Sequence, residues 1–158
     1  MNNITENKIF VLSGPVHSGK TTRLINWIQS RSDVSGILSP VIHGERFFMN
    51  AATKEIFPME AEPGESNTFT VGKYVFSVLG FENAKEILRQ ASNQKEGWLI
   101  IDEVGPLELE GEGFNNVLKE LIKQDHHSKI ILVVRESLVS VVVEQYGIEN
   151  YEDWDFRS

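Results

Sequence analysis

The feature that most constrains this chain is the segment Ser13–Thr22, with the sequence SGPVHSGKTT. It fits the pattern G-x-x-x-x-G-K-S/T of a phosphate-binding loop at every fixed position. Gly14 and Gly19 lack side chains that would keep consecutive backbone N–H groups from pointing at phosphate oxygens. Lys20 can reach the β- and γ-phosphates of a nucleotide, and the Thr21 hydroxyl can bind Mg²⁺. The segment therefore predicts a site for a nucleoside triphosphate.

Such a loop requires a strand before it and a helix after it, and the flanking residues predict both. Residues 8–12 form a short apolar run, typical of a strand buried in a parallel sheet. Leu24 and Ile28 follow at helical spacing, so a helix is predicted to begin at Lys20 and to direct the positive end of its dipole at the anion. His17 can contact phosphate or a second substrate, or can be a surface imidazole. The predicted nucleotide-binding residues are Gly14, Pro15, Val16, His17, Ser18, Gly19, Lys20, Thr21 and Thr22.

A second motif lies at residues 98–103, an apolar strand that ends in two acids, Asp102 and Glu103. The carboxyl ends of parallel strands gather at one edge of a sheet. Asp102 is therefore predicted to lie near Thr21, where its carboxylate can hold Mg²⁺ through a water. Glu103 is predicted to orient and activate a water molecule for attack in line with the leaving group. Without the loop upstream, the two acids would indicate only a solvated strand end.

Arg135 ends another predicted core strand, over residues 129–134. A guanidinium at that place can stabilise negative charge that develops during the reaction, although many such arginines form only surface ion pairs. The predicted catalytic residues are Lys20, Glu103 and Arg135, and the predicted metal ligands are Thr21 and Asp102.

Three further features carry weaker predictions. Arg46 is a second candidate for stabilising negative charge. The adjacent Phe47 and Phe48 are expected in the core, with stacking on a base as the alternative. The acidic residues after the second motif are expected to form a solvated loop without a permanent metal: Glu108, Glu110 and Glu112.

The order of the predicted elements indicates an α/β fold of three layers, with a mainly parallel central sheet. Strands are predicted over residues 8–12, 37–42, 98–103 and 129–134. Helices are predicted over 20–30, 81–93, 114–125 and from Ser137, the predicted cap of the last helix. An antiparallel β insert is predicted over 43–79, with a hairpin at 46–59 and a strand at 69–78 that bends at Gly72. Residues 1–7 are expected to be a flexible lead-in, and the tail is expected to form a last strand or to pack on the surface. Residues 1–158 are expected to form one domain.

The composition limits the class of partner. Fifteen basic residues against 23 acidic ones give a formal net charge of −8. This balance argues against general binding of nucleic acid, which needs a basic face, but it allows loop amides, one lysine and Mg²⁺ to hold a nucleotide.

Cysteine is absent, which excludes disulfides and thiolate metal sites. Because no apolar run is long enough to span a bilayer, a cytoplasmic protein without membrane contact is expected.

Together these motifs make the sequence similar to a known family, the small P-loop nucleoside triphosphatases first described from thermophiles, whose human member is called cancer-related. The resemblance covers residues 8–146 and includes GILSP at 36–40, VGKY at 71–74 and IDEVGPLEL at 101–109. It implies a P-loop α/β fold and Mg²⁺-dependent hydrolysis of several nucleoside triphosphates, with weak discrimination among bases. His17 stands where family loops tend to have glycine or another small residue, and the C-terminus is short; either departure can narrow the choice of nucleotide or lower the activity. The positions that match the family's functional residues are Gly14, Lys20, Thr21, Asp102 and Glu103.

The residues leave three functions open. Hydrolysis of a nucleoside triphosphate, with ATP or GTP as the expected substrate and Mg²⁺ as cofactor, is favoured because the Asp102–Glu103 pair suits activation of water. A kinase for small nucleotides, nucleosides or nucleic-acid ends would use the same loop. Such kinases usually need several arginines, and only Arg46 and Arg135 of the six arginines are expected at the rim. The third function is a slow nucleotide-dependent switch or adaptor that works through an unidentified protein partner.

Overall fold

The computed structural model describes residues 9–15, 18–94, 96–124 and 128–156. Its strands are β1 (Ile9–Gly14), β2 (Val34–Leu38), β3 (Val41–Ile42), β4 (Glu45–Asn50), β5 (Ile56–Pro58), β6 (Thr68–Val71), β7 (Tyr74–Ser77), β8 (Trp98–Asp102), β9 (Lys129–Arg135) and β10 (Glu152–Asp153). Its helices are α1 (Lys20–Ile28), α2 (Val78–Ala91), α3 (Pro106–Leu109), α4 (Asn115–Lys123) and α5 (Val139–Gln145), with a 3-10 turn at Glu136–Leu138 before α5.

The central sheet is parallel over the strands β10, β1, β9, β8 and β2, which lie side by side in this order. Strand β9 lies between β1 and β8, and its residue Val133 pairs with Leu12 of β1 and with Asp102 of β8. The carboxyl ends of β1 and β8 are therefore level with each other. This register brings the phosphate-binding loop and the two acids of the second motif to the same edge of the sheet.

Both faces of the sheet are covered by helices. Successive side chains along a strand point to opposite faces, so neighbouring residues of one strand pack in different parts of the core. Leu99 and Ile101 of β8 lie in the part of the core that includes buried side chains of α2, α4 and α5. Ile100, between them, belongs to the opposite part of the core, together with Leu24 and Ile28 of α1. The predicted three-layer α/β fold is therefore confirmed.

The predicted antiparallel insert divides into two parts. Strands β3 and β5 both pair antiparallel with β4, and β4 pairs antiparallel with β2, so the hairpin predicted at 46–59 is present and extends the central sheet. Strands β6 and β7 form a separate two-stranded sheet. The single bent strand predicted at 69–78 is wrong. Gly72, with φ of 59°, lies in a turn, after which β7 returns antiparallel to β6.

Two element boundaries differ from the prediction for local reasons. The strand predicted over 37–42 begins earlier, at Val34, and is divided into β2 and β3 at Pro40, which has no N–H to donate. Helix α2 begins at Val78, because the Ser77 hydroxyl caps it by accepting a hydrogen bond from Gly80 N at 3.0 Å.

Three other predictions concern the remaining helices and the chain ends. Ser137 lies in the 3-10 turn and does not cap α5, which has no side-chain cap. Helix α4 ends at Lys123, and the predicted end near Asp125 lies outside the described residues, as does the lead-in over 1–7.

Within the described ranges, no helix combines the length and the apolar character needed to cross a bilayer.

The C-terminal segment is attached to the sheet and to α1. Strand β10 pairs parallel with β1, and Trp154 N donates a hydrogen bond to Val11 O at 2.9 Å. The Trp154 ring is buried and meets Trp27 of α1 edge to face, with ring centroids 4.9 Å apart. The Arg23 guanidinium lies 4.2 Å from the centroid of the Phe156 ring. The predicted last strand is therefore present, and the residues after it pack against the helix that follows the phosphate-binding loop.

Gly36 sets the spacing between β2 and β8. Its φ of +106° lies in the left-handed region that favours glycine, and a Cβ there would lie 2.1 Å from the carbonyl oxygen of Ile100. We expect Gly36→Ala to lower the free energy of unfolding by about 3 kcal/mol or more, because the backbone of one strand must shift. Urea denaturation followed by circular dichroism measures this change.

Gly64→Ala is the matched control for this substitution. Gly64 also has a positive φ, +85°, but the space around its Cβ position is open. Only the backbone preference is lost there, at a cost of about 1–2 kcal/mol. Equal losses in the two variants would contradict the argument that the contact with β8 requires glycine at position 36.

Candidate functional site

The loop after β1 holds its lysine against its own backbone. Lys20 Nζ donates hydrogen bonds to the carbonyl oxygens of Gly14 and Pro15, at 3.3 and 2.9 Å, and to Ser18 Oγ at 3.2 Å. The side chain is nearly buried. Gly19, with φ of +80°, precedes α1 in the left-handed conformation. The acceptors of the ammonium are neutral, so a bound phosphate would offer it a stronger, charged acceptor.

The other loop residues surround this lysine. Pro15, Ser18 and Gly19 are exposed, and Thr22 is exposed on the first turn of α1. The first N–H groups of a helix have no acceptor within the helix, which makes this end of α1 suitable for a phosphate. Val16 and His17 lie outside the described residues. Their assignment to the nucleotide site remains a prediction.

Asp102 connects the end of β8 to the loop and to β2. Its Oδ2 accepts hydrogen bonds from Thr21 Oγ1 at 2.7 Å and from Ser39 N at 3.1 Å. The Ser39 hydroxyl donates to the Asp102 carbonyl oxygen. The carboxyl is 1% exposed, and burial raises its pKa to about 6 even though both hydrogen bonds favour the charged form. The predicted proximity of Asp102 and Thr21 is thus present. No motif in the sequence identifies Ser39 as a site residue, apart from its place in the segment 36–40.

The pair Thr21 and Asp102 fits Mg²⁺. A hydroxyl and a carboxylate oxygen lie within hydrogen-bond distance of each other, and oxygen is the ligand that Mg²⁺ prefers. A cation beside Asp102 would also offset the free-energy cost of burying its charge. Mg²⁺ usually keeps several waters and takes further oxygens from substrate phosphates, so two protein ligands are sufficient in a nucleotide site.

Glu103 follows Asp102 and lies beside Arg135, at the end of β9. Glu103 Oε2 and Arg135 Nε are 3.9 Å apart, and each side chain is about one-third exposed, 35% and 36%. Such a pair contributes little to stability, and both groups remain accessible. Arg135 is also in register with Gly14 of β1. The structure therefore brings Glu103 and Arg135 together, next to the start of the loop.

A cavity of about 230 Å³ opens beside Glu103 and Arg135, and we call it the aromatic cavity. Arg46 and Tyr74, from the β insert, line it as well. Phe48, which is predicted in the core, is buried and forms part of its wall. The buried apolar side chains that line it are Phe48, Met59, Phe76, Phe81 and Phe114. The insert thus adds an apolar space next to the acid at position 103.

Glu108 is buried at 4% exposure, so its prediction as part of a solvated acidic loop is wrong. Its Oε1 accepts a hydrogen bond from Gly105 N at 2.8 Å and its Oε2 accepts one from Phe114 N at 3.0 Å. Gly113 leaves room for the carboxyl, since a Cβ there would lie 2.2 Å from Oε2. Gly105 lies two residues after Glu103, so Glu108 holds the backbone that positions Glu103. The exposed Glu110 and Glu112 agree with the prediction.

Comparisons with known proteins identify the family and the fold of this chain. A family model described as NTPase matches residues 9–153. Among solved structures, the crystal structure of THEP1 from the hyperthermophile Aquifex aeolicus is similar, with a TM-score of 0.68 over 94% of this chain and 89% of that chain. The sequence identity is 17%, so this likeness shows the fold alone. The comparison with curated proteins gives no significant match. The resemblance drawn from the sequence motifs is confirmed by the family match.

The burial of Glu108 predicts a pH dependence of stability. Burial raises its pKa from 4.5 to about 7, so between these pH values the folded chain binds more protons than the unfolded chain. The free energy of unfolding therefore falls as the pH rises from 4.5 to 7, by up to about 1.4 kcal/mol per pH unit. Asp102 contributes in the same direction, since its pKa is raised from 3.8 to about 6.

Glu108→Gln isolates the contribution of Glu108. Glutamine does not titrate, so urea denaturation at a series of pH values should show a smaller fall in this variant than in the wild type. Glu110→Gln, at an exposed position two residues away, should keep the wild-type slope. A slope unchanged by Glu108→Gln would contradict the raised pKa of the buried carboxyl.

Proposed function

The chain belongs to the NTPase family, and from that premise we propose that it hydrolyses the γ-phosphate of nucleoside triphosphates with Mg²⁺ as cofactor. The observation that carries this proposal is the hydrogen bond of 2.7 Å between Thr21 Oγ1 and Asp102 Oδ2, with Glu103 as the next residue. It supports a site in which a nucleotide lies along the loop while a water molecule approaches from the side of Glu103.

In the proposed mechanism, the loop first binds the phosphates. Lys20 exchanges its hydrogen bonds to the loop for hydrogen bonds to the β- and γ-phosphates, aided by backbone N–H groups at the start of α1. Thr21 and Asp102 would hold Mg²⁺, which neutralises phosphate charge when bound. These interactions contact only the phosphates and do not distinguish one base from another. They therefore support broad base specificity.

Glu103 is the proposed general base. Its carboxylate accepts a proton from the attacking water, and the water oxygen attacks the γ-phosphorus in line with the bond to the β-phosphate oxygen. That bond breaks, and its electron pair goes to the departing diphosphate. The Arg135 guanidinium, 3.9 Å from Glu103 Oε2, can stabilise negative charge on the transferring group and can fix the orientation of Glu103. Both side chains are partly exposed and accessible to a substrate.

Release of phosphate from ATP, GTP, CTP and UTP tests the proposal. We expect the wild type to release phosphate from all four with Mg²⁺ and to stop when EDTA is added. Glu103→Gln should lower kcat by about 100-fold or more, because the amide cannot accept the proton from water. Binding of a fluorescent ATP analogue, measured alongside, should be retained in this variant.

The matched control is Glu110→Gln, which removes an exposed acid outside the candidate site and should keep the wild-type rate. A wild type that binds nucleotide but releases no phosphate would overturn the proposal and would favour the nucleotide-dependent switch. Full activity in Glu103→Gln would leave hydrolysis standing and would refute the role of Glu103.

A further inference from the structure

With a triphosphate bound as proposed, the aromatic cavity would lie on the attacking side of its γ-phosphate. In an in-line displacement, the attacking oxygen and the leaving β-phosphate oxygen lie on opposite sides of the γ-phosphorus. Glu103, which would orient the attacking group, lines the cavity together with Arg135. The nucleoside of the triphosphate lies beyond its β-phosphate, on the leaving side. A molecule in this cavity would therefore be a second substrate and not the base of the first.

The interior of the cavity suits a flat ring. Phe48 meets Phe81 edge to face, with ring centroids 5.0 Å apart at 87°, and Phe114 lies 5.8 Å from both. These rings are buried and packed on one another, so their positions are fixed before any ligand enters. At about 230 Å³ the cavity is smaller than the roughly 300–1,000 Å³ of typical ligand pockets, which limits its interior to a small ring system.

The rim of the cavity suits an anion. Arg46 and Arg135 both line it, one from the insert and the other from the end of β9. The Arg46 guanidinium lies 4.8 Å from the centroid of the Tyr74 ring, and its hydrogen bond lowers the pKa of the Tyr74 hydroxyl. Two guanidinium groups bind phosphate well, because their planar forks match its oxygens. The acids that line the cavity are Glu103 and Glu108, and both Glu108 oxygens already accept backbone hydrogen bonds.

We propose that the aromatic cavity binds a nucleoside monophosphate, with its base among the phenylalanines and its phosphate between Arg46 and Arg135, and that this phosphate accepts the γ-phosphoryl group of the bound triphosphate. The proposal rests on the proposed nucleotide site. It gives a common role to Arg46 and Arg135, the two arginines that the sequence places at the rim of a possible kinase site.

The transfer balances without a further reactant. An oxygen of the monophosphate forms a bond to the γ-phosphorus, and the bond between the γ-phosphorus and the β-phosphate oxygen breaks, with its electron pair going to the departing diphosphate. The products are two nucleoside diphosphates. A phosphate monoester is largely dianionic above pH 7, since its second pKa is about 6, so no general base is needed. Hydrolysis and transfer therefore differ in their need for Glu103.

Transfer of label from γ-³²P-ATP tests the proposal. The chain is incubated with Mg²⁺ and with AMP, GMP, CMP or UMP at millimolar concentration, and labelled phosphate is separated from labelled diphosphate. We expect labelled diphosphate with at least one monophosphate. Glu103→Gln should raise the ratio of labelled diphosphate to labelled phosphate by about tenfold or more, because only hydrolysis loses its base. Lys20→Ala, purified in the same way, should form no labelled diphosphate and excludes a contaminating kinase.

Two pairs of variants locate the transfer in the cavity. Val71→Trp places a bulky ring at a lining position that is 37% exposed, and Val75→Trp is its control at an exposed position outside the lining. Arg46→Ala removes a rim guanidinium, and Arg89→Ala removes an exposed one on α2. We expect each cavity variant to lower the ratio of labelled diphosphate to labelled phosphate by about tenfold, and each control to keep it.

The outcomes separate this proposal from the proposed hydrolysis. Phosphate release without labelled diphosphate, at every monophosphate concentration, would overturn the acceptor site and leave hydrolysis standing. Competition of monophosphates with ATP, again without labelled diphosphate, would also overturn it, since it would place them in the triphosphate site. Labelled diphosphate that is insensitive to all the cavity variants would overturn the assignment to this cavity. If neither labelled product forms, both proposals fail.

Discussion

The hydrogen bond between the Thr21 hydroxyl and the Asp102 carboxylate is the contact on which the rest of the candidate site depends. It joins residues that are 81 positions apart in the sequence. It forms because β9 holds β1 and β8 at the same level, so that the loop and the strand end meet. A buried carboxylate costs free energy, which is why the pKa of Asp102 is raised to about 6. A cation at this place would offset that cost, which is why we propose a metal there together with a phosphate.

The β insert adds the aromatic cavity to a phosphate-binding loop of a common type. Strands β3 to β5 extend the central sheet beyond β2, and β7 of the pair β6–β7 forms an antiparallel bridge with Glu60, which follows β5. Through Arg46 and Tyr74 the insert supplies one side of the aromatic cavity, while Glu103 and Arg135 supply the other. In the two proposed reactions, Glu103 faces water in one and a second substrate in the other. The occupant of the cavity would then decide between hydrolysis and transfer.

The sequence predicts best those parts of the site whose chemistry requires fixed spacing. The loop residues and Asp102 belong to this class, because a phosphate and its metal demand those residue types in that order. Ser39 and Glu108 could not be found in this way. Ser39 contacts Asp102 only because β2 lies beside β8, and Glu108 is buried only because the chain from Gly105 to Phe114 wraps around its carboxyl. The run on both sides of Gly72 fits a bent strand or a hairpin equally well, and packing decides between them.

The central claim is that Thr21 and Asp102 form a metal site that a nucleotide completes. The affinity of a fluorescent, non-hydrolysable ATP analogue, measured with Mg²⁺ and again with EDTA, tests it most directly. Mg²⁺ should tighten binding to the wild type by about tenfold or more, and Asp102→Asn should abolish this effect, because the amide retains the shape but not the charge. An equal effect of Mg²⁺ on both proteins would contradict the account.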